Sequence, residues 1–139
     1  MSSEQTRAAV TAFFERVWNE GAVEYASEFL APDFVSHNGF GIQVVGPQEY
    51  GQSVSGFRAA FPDHHTTIEE VIVEGDRVAV RGTDRGTHAG EFMGHPATGR
   101  QVVNTWIEIF RLQGGKAVEG WVEGDTKRFE EQLSQPVNG

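Results

Sequence analysis

Asp125 stands where an alternating run, Lys116 to about Glu123, gives way to a helical pattern carrying Phe129 and Leu133 at i and i+4. If the alternation continues unbroken, its side chain shares a face with Glu119 and Trp121. A carboxylate beside an indole in a closed cavity loses water, and its pKa rises toward a value suited to taking a proton from carbon. The same residue, followed by Thr126, equally suits the N-cap of the terminal helix. Candidate hydrogen-bond donors to a bound ligand are His37, His88, Asn104 and Trp106. Asn104 and Trp106 are two residues apart in one alternating run and point the same way. Asn104 also fits a backbone-bonded place at a sheet edge, and His37, just before a glycine-rich stretch, fits either a cavity mouth or an exposed loop. Trp18, Tyr25, Phe57, Phe61, Trp106 and Trp121 are core residues by size, and a subset of them would line a cavity and stack on a planar ligand.

Other chemistries lack their residues. The chain has no Cys, which removes disulfides, thiolate nucleophiles and Cys-based metal sites. His88 and His95 flank Glu91, but the tight His-x-His spacing with a downstream Glu is missing, and Asp63-His64-His65 places neighbouring rings on opposite sides of a strand. No metal site and no cofactor are expected. No Gly-x-Ser-x-Gly elbow, phosphate-binding loop or dinucleotide fingerprint occurs. The net charge of −9 disfavours nucleic acid, and Arg81 and Arg85 are interleaved with Asp84 rather than forming a basic patch. No apolar run reaches the roughly twenty residues of a membrane helix, and the N-terminal residues show no secretory signal. A soluble, cytoplasmic protein acting on something small is the expectation.

The 139 residues suit one domain, ending in a polar tail at about 134–139. Val10, Phe13, Phe14, Val17 and Trp18 form a helical stripe, with Ser2 and Gln5 as a capping box and Gly21 as a stop. A shorter helix carries Tyr25, Ala26, Phe29 and Leu30 up to Pro32. Asp33 to Asn38 reads as extended, Gly39 to Gly46 as a flexible connection, and Pro47 opens a third helix with Tyr50, Val54, Phe57 and Phe61 on one face. The period then changes to two, predicting strands at Thr66–Glu74, Arg77 to about Thr87, Gln101–Leu112 and Lys116 to about Glu123. Helices followed by hairpin-linked strands make an α+β fold, a curved antiparallel sheet wrapped over the N-terminal helices and leaving a cone with an interior.

That element order resembles the superfamily of ketosteroid isomerase and nuclear transport factor 2, and within it the SnoaL-like polyketide cyclases. The resemblance rests on the segment Gly86 to Arg100, on Trp106-Ile107-Glu108-Ile109-Phe110-Arg111, on Gly115 to Trp121 with Asp125, and on Pro32 to Asn38. It implies a cofactor-free enzyme closing a ring by intramolecular aldol chemistry on a small apolar, carbonyl-containing substrate. Asp125 would be the general base, since cyclases of this kind place an Asp near the end of the last strand, with His37 beside it. Trp18, Phe61, His88, Asn104, Trp106 and Trp121 would bind substrate. Ketosteroid isomerase, related by fold, pairs such an Asp with donors to the enolate oxygen. One departure is visible: the family's His between Glu and Trp is Gly120 here. The resemblance also implies a homo-oligomer, dimer or tetramer, through the outer sheet face, consistent with apolar residues on both faces of the Gln101–Leu112 strand. Alternatives on the same fold are epoxide hydrolysis, needing a second acid such as Glu108 or Glu119, hydroxylation, or ligand binding without catalysis.

Overall fold

Ser2 opens the first helix reciprocally, its hydroxyl accepting the Gln5 N–H at 3.1 Å while the Gln5 side chain accepts the Ser2 N–H at 2.9 Å. In this computed structural model, which describes residues 1–38, 41 and 43–134, helix α1 (Ser3–Phe13) continues into a π-helical turn, Phe14–Asn19. The wider winding is visible in the Glu20 N–H, which donates five residues back to the Glu15 carbonyl at 3.0 Å. Arg58 reaches across to donate to the Trp18 and Asn19 carbonyls at 2.6 and 3.2 Å, satisfying acceptors that the helix end leaves unpaired.

A short 3₁₀ turn leads into α2 (Ala26–Phe29), and β1 (Leu30–His37) follows at once. Leu30 is extended, not helical; Pro32 biases Ala31 before it away from helix, so the helix ends ahead of that residue. Because Pro32 has no N–H to offer, β1 changes register against its neighbour between Leu30 and Val35. The stretch read as a flexible connection contains strand β2 (Gln43–Val45), paired back on β1, while Gly39, Phe40 and Ile42 lie outside the described residues. Helix α3 (Gly46–Ala60) has Pro47 in its first turn. Then come β3 (His65–Glu74), β4 (Arg77–Thr87), β5 (Gln101–Gln113), β6 (Lys116–Gly124) and α4 (Thr126–Ser134). Of the polar tail only Ser134 is described, as the end of α4.

The strands form one curved sheet in the order β2-β1-β6-β5-β4-β3. All pairs are antiparallel except β1 with β6, so the sheet is mixed rather than wholly antiparallel. Hairpins give only antiparallel neighbours, and the long path from β1 through α3 and the meander lets β6 return alongside it in the same direction. Phe110 on the inner face meets the rings of Phe13, Phe14, Phe29 and Phe34, joining helices to sheet. A second aromatic group, Phe57, Phe61, Phe92 and Phe129, gathers where α3, α4 and the 88–100 connection meet. On the outer face, Ile72, Ile107 and Ile109 remain exposed. Among the described residues no helix is long and apolar enough to cross a membrane.

Candidate active site

Between the π-helical turn, α3 and the inner face of the sheet lies a cavity of about 250 Å³. Cross-strand register sets its polar row: Thr66 of β3 is opposite Asp84 of β4, which is opposite Asn104 of β5. All three line the cavity. Asn19 brackets the Thr66 backbone, accepting its N–H at 2.7 Å and donating to its carbonyl at 3.0 Å. The Thr66 hydroxyl donates to Asp84 Oδ1 at 2.6 Å. With that proton committed, Thr66 Oγ1 can only accept from His64 Nε2, 3.1 Å away, which also lies 3.1 Å from Asp84 Oδ1. His64 therefore carries its hydrogen on Nε2. Its ring is fully enclosed, between Trp18 at 5.4 Å and Phe57 at 5.1 Å. Both partners hold Oδ1, and among the described residues neither His64 nor Thr66 engages Asp84 Oδ2.

Glu108 shares the inner face of β5 with Asn104 and Trp106. It is 3 % exposed, and its Oε2 has no hydrogen-bond partner among the described residues. Burial, aided by the nearby negative charge of Asp84, pushes its pKa from 4.5 up to about 8. At neutral pH it is a carboxylic acid with a proton to donate. Gly120 makes the space: a Cβ there would lie 3.0 Å from Phe34 Cζ and 3.1 Å from Glu108 Oε2. A side chain at 120 would press on both.

Tyr50 of α3 also lines the cavity. Its oxygen accepts the Trp18 Nε1–H at 2.7 Å, and since an indole only donates, the phenol hydrogen is free to point elsewhere. Burial, and secondarily Glu108, holds the Tyr50 pKa well above 10, so the group stays an O–H donor. Trp106 crosses the sheet over Gly82, where a Cβ would stand 2.4 Å from its Cζ2, and stacks on Phe14 at 5.2 Å. The pocket thus combines one carboxylate, two buried acids that donate, and aromatic walls.

Of the residues singled out in the sequence, Trp18, Phe57, Asn104, Trp106 and Glu108 line this cavity. Phe61 and His88 lie behind its wall, stacked on each other at 5.4 Å. His88 is fully buried and bonds Thr98 Oγ1 at 3.1 Å, tying the ends of the 88–100 connection together. His37 and Trp121 are on the opposite, outer face of the sheet. There His37 stacks on Trp121 at 5.8 Å and meets Glu119 at 2.8 Å, and Arg111 approaches the other Glu119 oxygen at 3.3 Å. The His37 hydrogen bond, with Arg111, holds the Glu119 carboxyl below its usual range. Asp125 is exposed and caps α4, accepting the Arg128 N–H at 3.0 Å. It is not on the cavity side because β6 ends at Gly124 and its inward residues are Gly120 and Val122, so Glu119 and Trp121 face out. Asp84, Tyr50, His64 and Thr66 were not read as functional. The available signal was Asp84 falling in step with the inward Val78 and Val80 of β4. Among the described residues no group of three or more His, Asp and Glu could hold a metal, so neither His88, Glu91 and His95 nor Asp63, His64 and His65 assemble into one.

The family model of SnoaL-like polyketide cyclases matches residues 8–133. Two curated relatives, the aklanonic acid methyl ester cyclases DnrD of Streptomyces peucetius and DauD of Streptomyces sp. (strain C5), are each 31 % identical over 91 residues, 64 % of this chain. Those matches span 60 % and 54 % of the relatives' own lengths. Among solved structures, a protein of Jannaschia sp. CCS1 described as a SnoaL-like polyketide cyclase superposes with a TM-score of 0.88 at 26 % identity, over 98 % of this chain and 97 % of that one. AclR of Streptomyces galilaeus, described as a hydroxylase, superposes with a TM-score of 0.82 at 29 % identity, over 95 % and 97 %.

Proposed function

The chain belongs to the SnoaL-like polyketide cyclase family, and from that premise we propose that it closes a ring by an intramolecular aldol reaction, with Asp84 as the base. The observation that carries this reading is a carboxylate held by Thr66 and His64 through one oxygen in a cavity that is also lined by two proton donors, Tyr50 and Glu108. Asp84 Oδ2 takes a proton from a carbon flanked by carbonyls. The C–H electron pair passes into a carbonyl, and the enolate oxygen accepts hydrogen bonds from Tyr50 and Glu108. The enolate carbon attacks a second carbonyl of the same molecule, forming the C–C bond, and the new alkoxide takes back the proton. Folding a flexible substrate against Phe14, Trp18 and Trp106 brings the reacting carbons together, which supplies much of the rate gain. The relatives' activity on aklanonic acid methyl ester supports a carbonyl-rich substrate of this kind. The same proposal places a second copy of the chain over Ile72, Ile107 and Ile109 of the outer face.

The test is exchange of the α-hydrogens of 2-tetralone, a bicyclic enolisable ketone, in deuterated water. Native protein accelerates the exchange, and Asp84→Asn, folded by circular dichroism, loses about 10²–10⁴-fold. An unchanged rate in that variant refutes the base. A second reading is favoured by the pairing of one carboxylate with one neutral carboxyl around the cavity: Asp84 would activate water while Glu108 protonates an epoxide oxygen. Incorporation of ¹⁸O from labelled water into product selects this reading, since aldol closure incorporates none at the new bond.

A further inference from the structure

The charges around the cavity do not balance. The Asp84 side chain is only 15 % exposed, and among the described residues no Lys or Arg forms an ion pair with it. His64 gives it a hydrogen bond and no counter-charge. The Nδ1 of that ring is buried without a partner among the described residues, and a second hydrogen there would meet no acceptor. The described residues that line the cavity include no Lys, Arg or His. A charge held away from water calls for a partner of opposite sign, and the walls supply none.

Glu108 brings a second acid into the same space, and its buried Oε2 has an interaction to make that no described group satisfies. Phe14, Trp18, Tyr50, Phe57 and Trp106 surround the two acids. Trp18 stands at 88° to Tyr50 and 77° to Phe57, with ring centroids 6.1 and 5.8 Å apart, so these rings make the corners of a box rather than one flat wall. We infer that the cavity binds a small organic ammonium group, quaternary or protonated, seated among these rings and charge-paired with Asp84. Aromatic rings attract a cation through their negative faces, and quaternary ammonium groups are the ligands that boxes of such rings recognise. A metal ion is not the occupant, because no three His, Asp or Glu gather here among the described residues. The inference goes beyond ring closure, since it needs the charge of Asp84 and not its basicity.

Phenyltrimethylammonium and tert-butylbenzene share a shape and differ by one charge, and titrating each at pH 7 into ¹⁵N-labelled protein tests the site. The indole N–H signals of Trp18 and Trp106 report occupancy of the cavity. Native protein binds the cation at least about tenfold more tightly than the hydrocarbon. Asp84→Asn, folded by circular dichroism, removes that preference and leaves tert-butylbenzene binding unchanged. Glu108 ionises at about 8 with Asp84 and Tyr50 as its ionisable neighbours, so native affinity for the cation rises several-fold between pH 7 and pH 9, and Glu108→Gln lacks the rise. Equal native binding of the two probes overturns the inference, with or without a folded variant. Indole signals that stay fixed as the cation is added overturn it too, as does a preference that survives in folded Asp84→Asn. Native protein that prefers the cation but does not accelerate 2-tetralone exchange refutes the proposed base alone, and the reverse pattern refutes the ammonium site alone.

Discussion

Glu108→Gln isolates the cost of keeping a carboxyl inside this protein. Burial raises the Glu108 pKa from its ordinary 4.5 to about 8, so the folded chain binds a proton that the unfolded chain releases over that interval. Stability from this group is fully present below pH 4.5 and is lost as pH rises to about 8. The span between the two values, at ~1.4 kcal/mol per pH unit, amounts to about 5 kcal/mol once both states have ionised. Glutamine matches the neutral acid in shape and does not titrate. Urea unfolding of native and variant protein at pH 5 and pH 9 gives the difference in their stabilities, in which the titrations of groups not coupled to Glu108 cancel. That difference should move by about 4 kcal/mol in favour of the variant between the two pH values. Parallel pH profiles for the two proteins would refute the claim that Glu108 is a buried neutral acid. Native turnover should also fall as pH rises through about 8, where the donor is lost, and a flat profile across that pH would separate Glu108 from the chemistry.

Three further outcomes follow from particular contacts. Gly82→Ala places a Cβ 2.4 Å from the Trp106 ring; the expected loss is about 1–3 kcal/mol in chemical unfolding, with a changed indole emission. Thr66→Val removes the 2.6 Å donor to Asp84 and should cost about 1.5–3 kcal/mol, the range for a hydrogen bond to a charged group, read in the same way. Sedimentation equilibrium at micromolar concentration should find the native chain dimeric and Ile107→Glu monomeric; a monomeric native chain contradicts the covering of the outer isoleucines.

Local signals carried the architecture. Ser2 with Gln5, Pro47 in the first turn of α3, and the even alternation of Val102 through Leu112 each have a short-range physical cause, and each element forms where that cause acts. The parallel β1–β6 pairing was not legible because it joins segments some eighty positions apart and leaves no local pattern. The site depended on parity. Along β6 a register shift against β5 breaks the alternation, so Ala117 and Gly120 are both buried although they differ in parity, and alternation alone does not say which side meets the helices. Choosing the wrong parity carried Trp121 and Asp125 into the cavity together and left Asp84 as one charge among arginines. On β4 the choice could be made, since Val78, Val80 and Gly82 share a face with Asp84, and a charge in step with buried valines marks a position that needs partners. Those partners, Thr66 and His64, come from β3 and the turn before it, and only cross-strand register brings them there.

The most direct measurement compares Asp84→Asn with Asp125→Asn in the 2-tetralone exchange assay. Asparagine still caps a helix, so Asp125→Asn should keep both its unfolding midpoint and the native exchange rate, while Asp84→Asn loses at least about a hundredfold in rate with its fold intact. Retained exchange in Asp84→Asn, or a comparable loss in Asp125→Asn, would contradict the assignment of the proton-accepting carboxylate to the inner face of β4.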